Sequence, residues 1–513
     1  MIVLYHKYNK ATLVDFNGKS IPFSGKSITE NLFEISILYP NELIIWCHLD
    51  LKSNLNLSKM AAIFHHDKIM ASYNVHKNSF LSDAIGYVEE SPFIKVNQIV
   101  KYPTWLASSL VGGINASVLK LIGSKIKKDA NFDYFLNSVA KSGMLAGLLC
   151  YSEPQLLVNC LPELESAQNN NYVLFRFVRQ HYKKRWLILL LLNIFLFEKR
   201  ILFAPFFYSL FFKTRKTIIV NLDAIAVKST LKTIEKKTID VIIPTIGRKQ
   251  YLYDVLQDLA QQTHLPEKVI IVEQNPINGS VSELDYLITE NWPFLIKHIF
   301  THQAGACNAR NLALAEVESE WVFLNDDDNR FDENLIENVF KRATQYGAEV
   351  IITSYLQPNE FQYYQTIHQS GIFGSGNSFI KKATLQNVSF DKALEFGYGE
   401  DTDFGLQLRN QGHDIIYFPD LKIKHLKAPM GGFRIKISKQ WESDEIQPKP
   451  SPTILYMLQK HYTQEQLKSY KLVLFLKLLK HESIGNYFFF YKSFKQKWSR
   501  SVHWAKKLKE KKE

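Results

Sequence analysis

The sequence predicts an α/β protein whose C-terminal half contains a doubly wound, mainly parallel sheet. Short apolar runs that suit buried strands recur from residue 239 onwards, and segments with apolar residues at helical spacing separate them. A chain of 513 residues that is 46% hydrophobic and 22% charged can build more than one folded core. This composition excludes wholesale disorder, collagen-like repeats and disulfide-stapled miniproteins.

Four segments follow one another along the chain. We expect an N-terminal α/β domain, an apolar and basic helical connector, a main α/β domain and a basic amphipathic tail, over residues 1–170, 171–238, 239–440 and 441–513. In the main domain, strands are predicted at residues 239–243, 268–272, 296–300, 321–325 and 349–353. Because ligands of such sheets bind at the carboxyl ends of the strands, the residues just after each strand are candidates for the functional site.

The connector contains two apolar blocks, residues 186–197 and 201–212, which are separated by Glu198, Lys199 and Arg200. Neither block has the roughly 20 apolar residues that a membrane-spanning helix needs. Two interpretations stay open. The blocks form either a pair of helices that lies in a membrane interface, with basic residues on both flanks, or a helix pair buried between domains.

The surplus of positive charge lies at the C-terminal end. Residues 468–513 contain 13 Lys and Arg but 3 Asp and Glu, and these cations alternate with Leu, Phe and Trp at roughly helical spacing. Such a tail favours an anionic membrane surface, and not nucleic acid, as its partner.

The expected compartment follows from two further features of the sequence. Residues 1–10 lack the pattern of a secretory leader. No CxxC pair occurs among the four cysteines, which are Cys47, Cys150, Cys160 and Cys307. We therefore expect a cytoplasmic protein that is peripheral at the inner face of the membrane.

The turns after the first two strands of the main domain carry candidate nucleotide-binding residues. Pro244, Thr245 and Arg248 form a proline-stiffened turn with a cation near a helix start, which suits a nucleotide phosphate. Glu273 and Asn275 follow the second strand and could hydrogen-bond a base, although a plain polar loop is the alternative.

Two clusters follow in the middle of the main domain. Arg310 and Asn311 lie in a helix of small residues, where the arginine can face an anion; an ordinary Ala-rich helix is the alternative. Asp326, Asp327 and Asp328 cap an apolar strand. Adjacent carboxylates repel each other, and their hard oxygens suit Mg²⁺ or Mn²⁺ holding a diphosphate, whereas the alternative is a solvated acidic loop.

The last cluster combines a helix start with a late histidine. Gly376 lies in the flexible GSGNS segment, and Glu400 and Asp401 begin a predicted helix, where a carboxylate could accept a proton from an acceptor hydroxyl. Acidic residues are also favoured at helix N-termini without any catalysis. His425 follows an apolar strand and is either a metal ligand or a structural histidine.

As a set, these motifs resemble the family 2 inverting glycosyltransferases of GT-A fold, over about residues 239–425. IPTIGR resembles the family's opening nucleotide-binding turn, GACNARNLAL its Gly-x-x-x-Ala-Arg-Asn helix, NDDD its Asp-x-Asp metal site and GED the pair that contains the catalytic base. The resemblance implies a GT-A-type sheet in which Asp401 is the general base and Glu400 orients the acceptor or the base. It implies that Mn²⁺ or Mg²⁺ is held by Asp326, Asp327, Asp328 and His425. It places the nucleotide sugar against Pro244, Thr245, Arg248, Glu273, Asn275, Arg310, Asn311, Asp326 and Gly376.

The implied function is the transfer of a hexose from a nucleotide-diphosphate sugar to a hydroxyl of a glycan or lipid-linked acceptor, with inversion, in polysaccharide biosynthesis. The chain departs from the family at Glu273, where an Asp is usual, and the frame of the Asp-x-Asp motif is ambiguous. One alternative is a sugar-phosphate nucleotidyltransferase, which requires a Gly-rich basic phosphate loop early in the sheet. Another is a non-enzymatic binding protein for acidic polymers, a function that does not explain the carboxylates.

The N-terminal half shows weak sequence similarity to the main domain. Three short alignments link the two halves, and these pair residues 42–50 with 320–328, 111–117 with 373–378 and 132–143 with 402–412. They predict a degenerate GT-A-like module that lacks the acidic cluster. Chance similarity between short apolar strands is the alternative.

Overall fold

The computed structural model describes residues 1–24, 26–76, 80–158, 170–216, 220–429, 439–483 and 486–510. The chain divides into two compact units. The first consists of residues 1–231 and 462–474, and the second of residues 232–461 and 475–513. Most of the predicted connector and a short piece of the predicted tail thus belong to the first unit.

The first unit is an α/β structure built on a mixed sheet. Its strands run in the spatial order β3-β2-β1-β4-β7-β5-β8-β6. They are β1 (Ile2–Lys7), β2 (Lys10–Phe16), β3 (Lys19–Ser20), β4 (Leu43–His48), β5 (Ile69–Tyr73), β6 (Tyr102–Pro103), β7 (Val111–Asn115) and β8 (Leu149–Ser152). The helices are α1 (Ile28–Leu38), α2 (Met60–Ile63), α3 (Ala116–Gly123), α4 (Phe132–Met144), α5 (Asn171–His181), α6 (Lys184–Asn193) and α7 (Phe203–Leu210).

The core of the first unit lies between this sheet and its helices. Trp46 on β4, Phe135 on α4 and Phe177 on α5 are fully buried in one apolar cluster, and α6 adds Trp186 and Leu190. The connector helices are therefore anchored on this core. Of the cysteines, Cys47 and Cys150 are buried here and Cys307 is buried in the second unit, whereas Cys160 lies outside the described residues.

The second unit carries the predicted strands and helices of the main domain. Its strands are β9 (Ile239–Thr245), β10 (Lys268–Gln274), β11 (Leu295–Thr301), β12 (Trp321–Asn325), β13 (Asn329–Phe331), β14 (Val350–Leu356), β15 (His368–Gln369), β16 (Asn377–Lys381) and β17 (Ile415–His425). The helices are α8 (Lys249–Ala260), α9 (Tyr286–Thr289), α10 (Ala306–Ala315), α11 (Leu335–Tyr346), α12 (Glu400–Asn410), α13 (Pro452–His461) and α15 (Tyr487–Glu510), while α14 (Gln464–Leu479) begins among residues of the first unit.

The second sheet has the order β11-β10-β9-β12-β16-β14-β17-β13, with β15 beside β17. The neighbours β11, β10, β9 and β12 are parallel, and their apolar runs are almost continuously buried in β9, β10 and β12, as expected for strands covered on both faces. The α/β prediction is confirmed. The sheet is mixed, however, because β16 pairs with β12 and β14 in the antiparallel sense. β16 follows β14 without an intervening crossover helix, which is the connection that a parallel pair requires.

The two sheets share one pattern of strands. In each, a parallel pair (β1 and β4, or β9 and β12) adjoins an antiparallel strand (β7 or β16), which adjoins a second parallel pair (β5 and β8, or β14 and β17). The registers agree as well, since Cys47 lies opposite Val111 and Asn325 lies opposite Asn377. This pairing matches the ungapped alignment of residues 42–50 with 320–328.

The same register corrects another alignment. Because Val111 takes the place of Asn377, residues 107–110 correspond to the loop 373–376, and the predicted match of residues 111–117 with 373–378 is wrong. Glycine content alone suggested that match. The sheets also differ beyond their first strand, where the hairpin of β2 and β3 stands in place of parallel β10 and β11.

None of the helices formed by the described residues is long and apolar enough to cross a membrane.

Candidate active site

The predicted site residues gather at the carboxyl ends of β9 and β12, where a loop of three aspartates follows β12. Asp327 is the most enclosed of the three. Thr245 Oγ1 donates to its Oδ2 at 2.7 Å, and Arg248 Nη1 lies 2.5 Å from its Oδ1. Burial raises the pKa of Asp327 to about 6, although the positive charge of Arg248 opposes this shift. The turn after β9 therefore binds Asp327 directly.

Asp328 faces the end of β17. The backbone N–H of Ala428 donates to its Oδ2 at 2.8 Å, and His425 Nε2 lies 3.5 Å from its Oδ1. The same Arg248 Nη1 is 3.2 Å from Oδ2, so one guanidinium lies between two carboxylates. Pairing of β13 with β17 places Asn329 opposite His425 and thereby brings the histidine to the aspartate loop.

Asp326 has a third set of partners. Arg310 Nη2 donates to its Oδ1 at 2.8 Å, and the Tyr355 hydroxyl donates to its Oδ2 at 3.1 Å. The Tyr355 ring stacks on the ring of His425, with centroids 4.6 Å apart. A Cβ at Gly376 would overlap the Asp326 carboxylate, so this position requires glycine.

The three adjacent aspartates thus differ in their partners, although Arg248 contacts both Asp327 and Asp328. No group of three His, Cys, Asp or Glu side chains surrounds one cation position in the described part of the chain. The predicted joint cluster of Asp326, Asp327, Asp328 and His425 is not assembled as one set. Only Asp328 and His425 lie side by side as potential ligands.

Glu400 and Asp401 begin α12, as predicted, after Gly399 with a φ of 108°. Asp401 accepts hydrogen bonds from Ser375, and its Oδ1 is buried without a donor among the described residues. Burial raises the pKa of Asp401, while the charge of Arg310 opposes this. Burial, followed by the neighbouring charge of Asp401, raises the pKa of Glu400 to about 7. Two partly buried carboxylates thus meet beside the Arg310–Asp326 ion pair.

Side chains of α13 hold α12, the helix that carries Asp401, in position. His461 Nε2 and Lys460 Nζ lie 2.6 and 2.5 Å from Oδ1 of Asp403, which is fully buried. The Thr453 hydroxyl accepts from the backbone N–H of Tyr398 at 3.1 Å. The segment predicted as the start of a tail is therefore part of the support of the site.

A cleft of about 130 Å³ lies between the ends of β9 and β10. Among its lining residues are four of the predicted nucleotide-binding residues, Thr245, Arg248, Glu273 and Asn275. Glu273 lies 2.9 Å from His298 Nε2 and accepts from the backbone N–H of Glu283 at 3.1 Å, so its carboxylate is largely engaged.

Two predicted residues have structural contacts. Pro244 lies within β9, next to Val272. The amide of Asn311 donates to the carbonyl of Phe390 and accepts from its N–H, both at 2.8 Å, and so anchors the chain ahead of α12. Their binding of a nucleotide sugar stays a prediction.

Several residues of the site were not found from the sequence. Tyr355 follows a predicted strand, but no local pattern links it to Asp326. Glu395 accepts hydrogen bonds from the backbone N–H groups of Cys307 and Asn308, at 3.0 and 2.8 Å, at the start of α10. Glu395 lies 88 and 87 residues further along the chain than these two residues. Ser375 lies in the GSGNS segment, whose composition indicates a flexible backbone and not a partner for Asp401. Contacts between residues that are far apart in the sequence produce no local sequence pattern from which they could be predicted.

Comparisons with known proteins find similarity to glycosyltransferases in part of the second unit. Residues 240–396 match the family model of glycosyl transferase family 2. Glycosyltransferase GlyG of Streptococcus pneumoniae is 24% identical over 132 residues, which are 25% of this chain and 44% of GlyG. Glycosyltransferase GlyA of the same organism is 25% identical over 128 residues, which are 24% of this chain and 17% of GlyA. The match spans less than half the length of either relative.

Solved structures of S. aureus TarS also align with the chain. One covers 48% of this chain and 44% of TarS, with 17% identity and a TM-score of 0.34. The structure of TarS residues 1–349 in complex with UDP-GlcNAc covers 51% of this chain and 71% of that protein, with 15% identity and a TM-score of 0.32.

Residues 240–396 form a glycosyltransferase domain, and several of the candidate site residues within it lie at the carboxyl ends of strands in a mixed sheet. The domain belongs to glycosyl transferase family 2. The resemblance found in the sequence is confirmed for this part of the chain.

Proposed function

We propose that the second unit transfers a sugar from a nucleotide-diphosphate sugar to a hydroxyl of a glycan or lipid-linked acceptor, with inversion, in polysaccharide biosynthesis. One observation carries this proposal. Asp401 is held at one oxygen by Ser375, while its buried Oδ1 has no donor among the described residues and can accept a proton. It lies beside the aspartate loop, which is part of the region that matches glycosyl transferase family 2.

In this mechanism Asp401 acts as the general base. The acceptor oxygen forms its bond to the anomeric carbon while the bond from that carbon to the diphosphate oxygen breaks. The electron pair leaves with the nucleoside diphosphate, and the hydroxyl proton passes to Asp401. Glu400, next to it on α12, orients the acceptor or the base. No covalent intermediate is required, since attack comes from the face opposite the leaving group.

The donor is proposed to occupy the cleft between the ends of β9 and β10. Thr245, Arg248, Glu273 and Asn275 line this cleft and supply the hydrogen-bonding groups for a nucleotide. Arg310 is buried and forms an ion pair with Asp326, so its proposed role is to hold the aspartate loop beside the donor, while most of the diphosphate charge is left for a cation.

A divalent cation, Mn²⁺ or Mg²⁺, fits the pair formed by Asp328 and His425. Mg²⁺ sites commonly use one or two protein ligands together with substrate phosphates, so two adjacent side chains are a sufficient protein contribution. The carboxylate oxygen and the imidazole nitrogen are both suitable donors, and they are 3.5 Å apart. Such a cation would neutralise the charge of the departing diphosphate.

The donor class can be tested directly. The full chain is incubated with a panel of nucleotide sugars, with and without Mn²⁺, and donor hydrolysis and thermal stabilisation are measured. We expect one or a few donors to raise the melting temperature and to be hydrolysed slowly. Failure of every nucleotide sugar in both measurements would argue against the proposal.

The activity should depend on pH through the carboxylates of α12. Because burial raises the pKa of Glu400 to about 7 and also raises that of Asp401, both are increasingly ionised as the pH rises, and kcat/KM should rise with pH up to about 7 or slightly above. Glu400→Gln removes a charge next to Asp401 and should move this rise to lower pH. An unchanged pH profile in Glu400→Gln would contradict the coupling.

We also propose that the first unit is a degenerate copy of the same fold. Asp133 is the second residue of α4, as Asp401 is of α12, so the predicted pairing of residues 132–143 with 402–412 is shifted by two residues in this comparison. Asp133 accepts from Ser109 N at 2.8 Å. Ser109 lies two residues before β7, and Ser375 lies two residues before β16. The carboxylate and its serine partner therefore keep their places in the first unit.

The rest of the chemistry is missing from the first unit. Phe132 takes the place of Glu400, is fully buried, and packs edge-on against His6 and Trp46, with centroids 5.4 and 5.9 Å apart. After β4 a single carboxylate, Asp50, remains, and it is paired with Lys7 at 3.1 Å. An aromatic side chain thus stands where the second unit has Glu400, so one carboxylate of the acidic pair is missing.

The double variant Asp50→Asn/Asp133→Asn should therefore leave donor turnover unchanged. Asn at residue 133 still accepts from Ser109, and the exposed ion pair of Asp50 contributes little to stability. Initial rates of donor turnover and thermal unfolding would be measured for the variant and for the unsubstituted chain. A folded double variant without turnover would mean that the first unit is a working second active site.

A further inference from the structure

The connector helices of the first unit expose a large apolar surface. α6 continues through the π-helical turn Ile194–Glu198 and through Lys199, which has a φ of 58°, towards α7. One side of α6 is packed into the core by Trp186 and Leu190. Large apolar side chains that are 49% to 86% exposed form what we call the connector patch, and they are Ile188, Phe195, Ile201, Phe203, Phe207 and Phe211.

Basic residues flank the helices of the connector patch along the chain. The exposed basic residues before, between and after its helices are Lys183, Lys184, Arg185, Lys199, Arg200 and Lys213. The sequence between residues 183 and 213 contains one acidic residue, Glu198, and this is paired with Arg200 at 3.1 Å. An apolar face with a cationic rim is complementary to a surface that is apolar inside and anionic at its edge.

We propose that the connector patch docks onto the surface of an anionic lipid bilayer. Helices that lie in a membrane interface combine aromatic and aliphatic side chains with Lys and Arg at the level of the lipid head groups. The two short helices suit this position, because neither crosses a bilayer. The patch also exceeds the scattered apolar side chains that are usual on a soluble surface. This surface is consistent with the peripheral membrane position expected for the protein, and its interpretation does not depend on the proposed reaction.

A second copy of the chain fits the connector patch less well. Two identical patches facing each other would bring their cationic rims together, whereas an anionic surface neutralises them. The tail, which the sequence predicts to contact the membrane, offers a smaller apolar face. Its helix α15 buries Phe494 and Trp504 and exposes aromatic side chains chiefly among its first five residues, at Tyr487, Phe488, Phe489 and Tyr491.

The test compares two matched double variants of the full chain. Phe207→Ser/Phe211→Ser changes the connector patch, and Phe488→Ser/Phe489→Ser removes the same number of exposed phenyl rings from α15. Binding to phosphatidylcholine vesicles, with and without phosphatidylglycerol, is measured by flotation, and melting temperatures establish that both variants are folded. We expect the connector variant to bind anionic vesicles at least about tenfold more weakly than the unsubstituted chain. The affinity of the tail variant should stay within a few-fold of that of the unsubstituted chain.

Three outcomes would overturn the proposal. The first is equal binding of the unsubstituted chain and the connector variant, and the second is a loss that is confined to the tail variant. The third is a concentration-dependent dimer of the unsubstituted chain that dissociates in the connector variant, since it would identify a second copy as the occupant. A further outcome, full binding to vesicles without phosphatidylglycerol, would also overturn the proposal, because the bilayer would then not need to be anionic.

Discussion

Replacing Asp401 by Asn should lower sugar transfer by about 10²- to 10⁴-fold, the usual cost of removing a general base. Asn keeps the size of the side chain and an oxygen that can accept from Ser375, so α12 should keep its position. What is lost is the basicity of the buried Oδ1, which has no donor among the residues that the structure describes. Donor binding should be nearly unchanged, because the predicted cleft for the nucleotide lies at the ends of β9 and β10.

The first unit offers a matched control for this experiment. Asp133→Asn makes the same substitution at the second residue of a helix, next to a serine in the equivalent place. It should leave the rate of transfer unchanged, although its effect on the free energy of unfolding should resemble that of Asp401→Asn. The measurements are kcat, donor affinity and melting temperature for both variants. Undiminished kcat in Asp401→Asn would refute the assignment of the base.

The strands of the second unit were predictable because their apolar runs are long, buried and bounded by polar turns. WVFLN coincides with β12 from Trp321 to Asn325, and the other predicted strands agree with β9, β10, β11 and β14 within a few residues. Strand direction was harder to predict. β16 has the composition of any buried strand, and its reversal depends on the connection that precedes it.

The site was predictable at the level of its motifs but not of its contacts. The order of the motifs along the chain placed Asp326, Asp327 and Asp328 after β12. Their separation into three partner sets depends on Arg310, Arg248 and His425, which reach them from other elements. His461 supports Asp403 from 58 residues further along the chain, and this contact likewise has no local pattern. The segment that contains His461 is predicted from the sequence as part of the basic tail.

Removal of divalent cations should abolish transfer, and Mn²⁺ or Mg²⁺ should restore it. The reason is the charge of the leaving nucleoside diphosphate. Arg248 forms ion pairs with both Asp327 and Asp328, and Arg310 forms one with Asp326. Because these carboxylates already neutralise the two arginines, the arginines do little to neutralise a diphosphate. A cation on Asp328 and His425 would supply that charge.

The variant His425→Ala should lose about 100-fold or more in activity at limiting Mn²⁺ and should bind Mn²⁺ more weakly in a direct titration. His413→Ala is a suitable control, since His413 also lies beside a carboxylate, at 3.0 Å from Glu349, but outside the aspartate loop. This control should keep both activity and Mn²⁺ affinity. Part of the loss in His425→Ala should be recovered at high Mn²⁺, because Asp328 and the diphosphate remain as ligands. Full activity of the unsubstituted chain in excess chelator would rule out the cation, and the stacked pair of His425 and Tyr355 would then have a structural role in holding the aspartate loop.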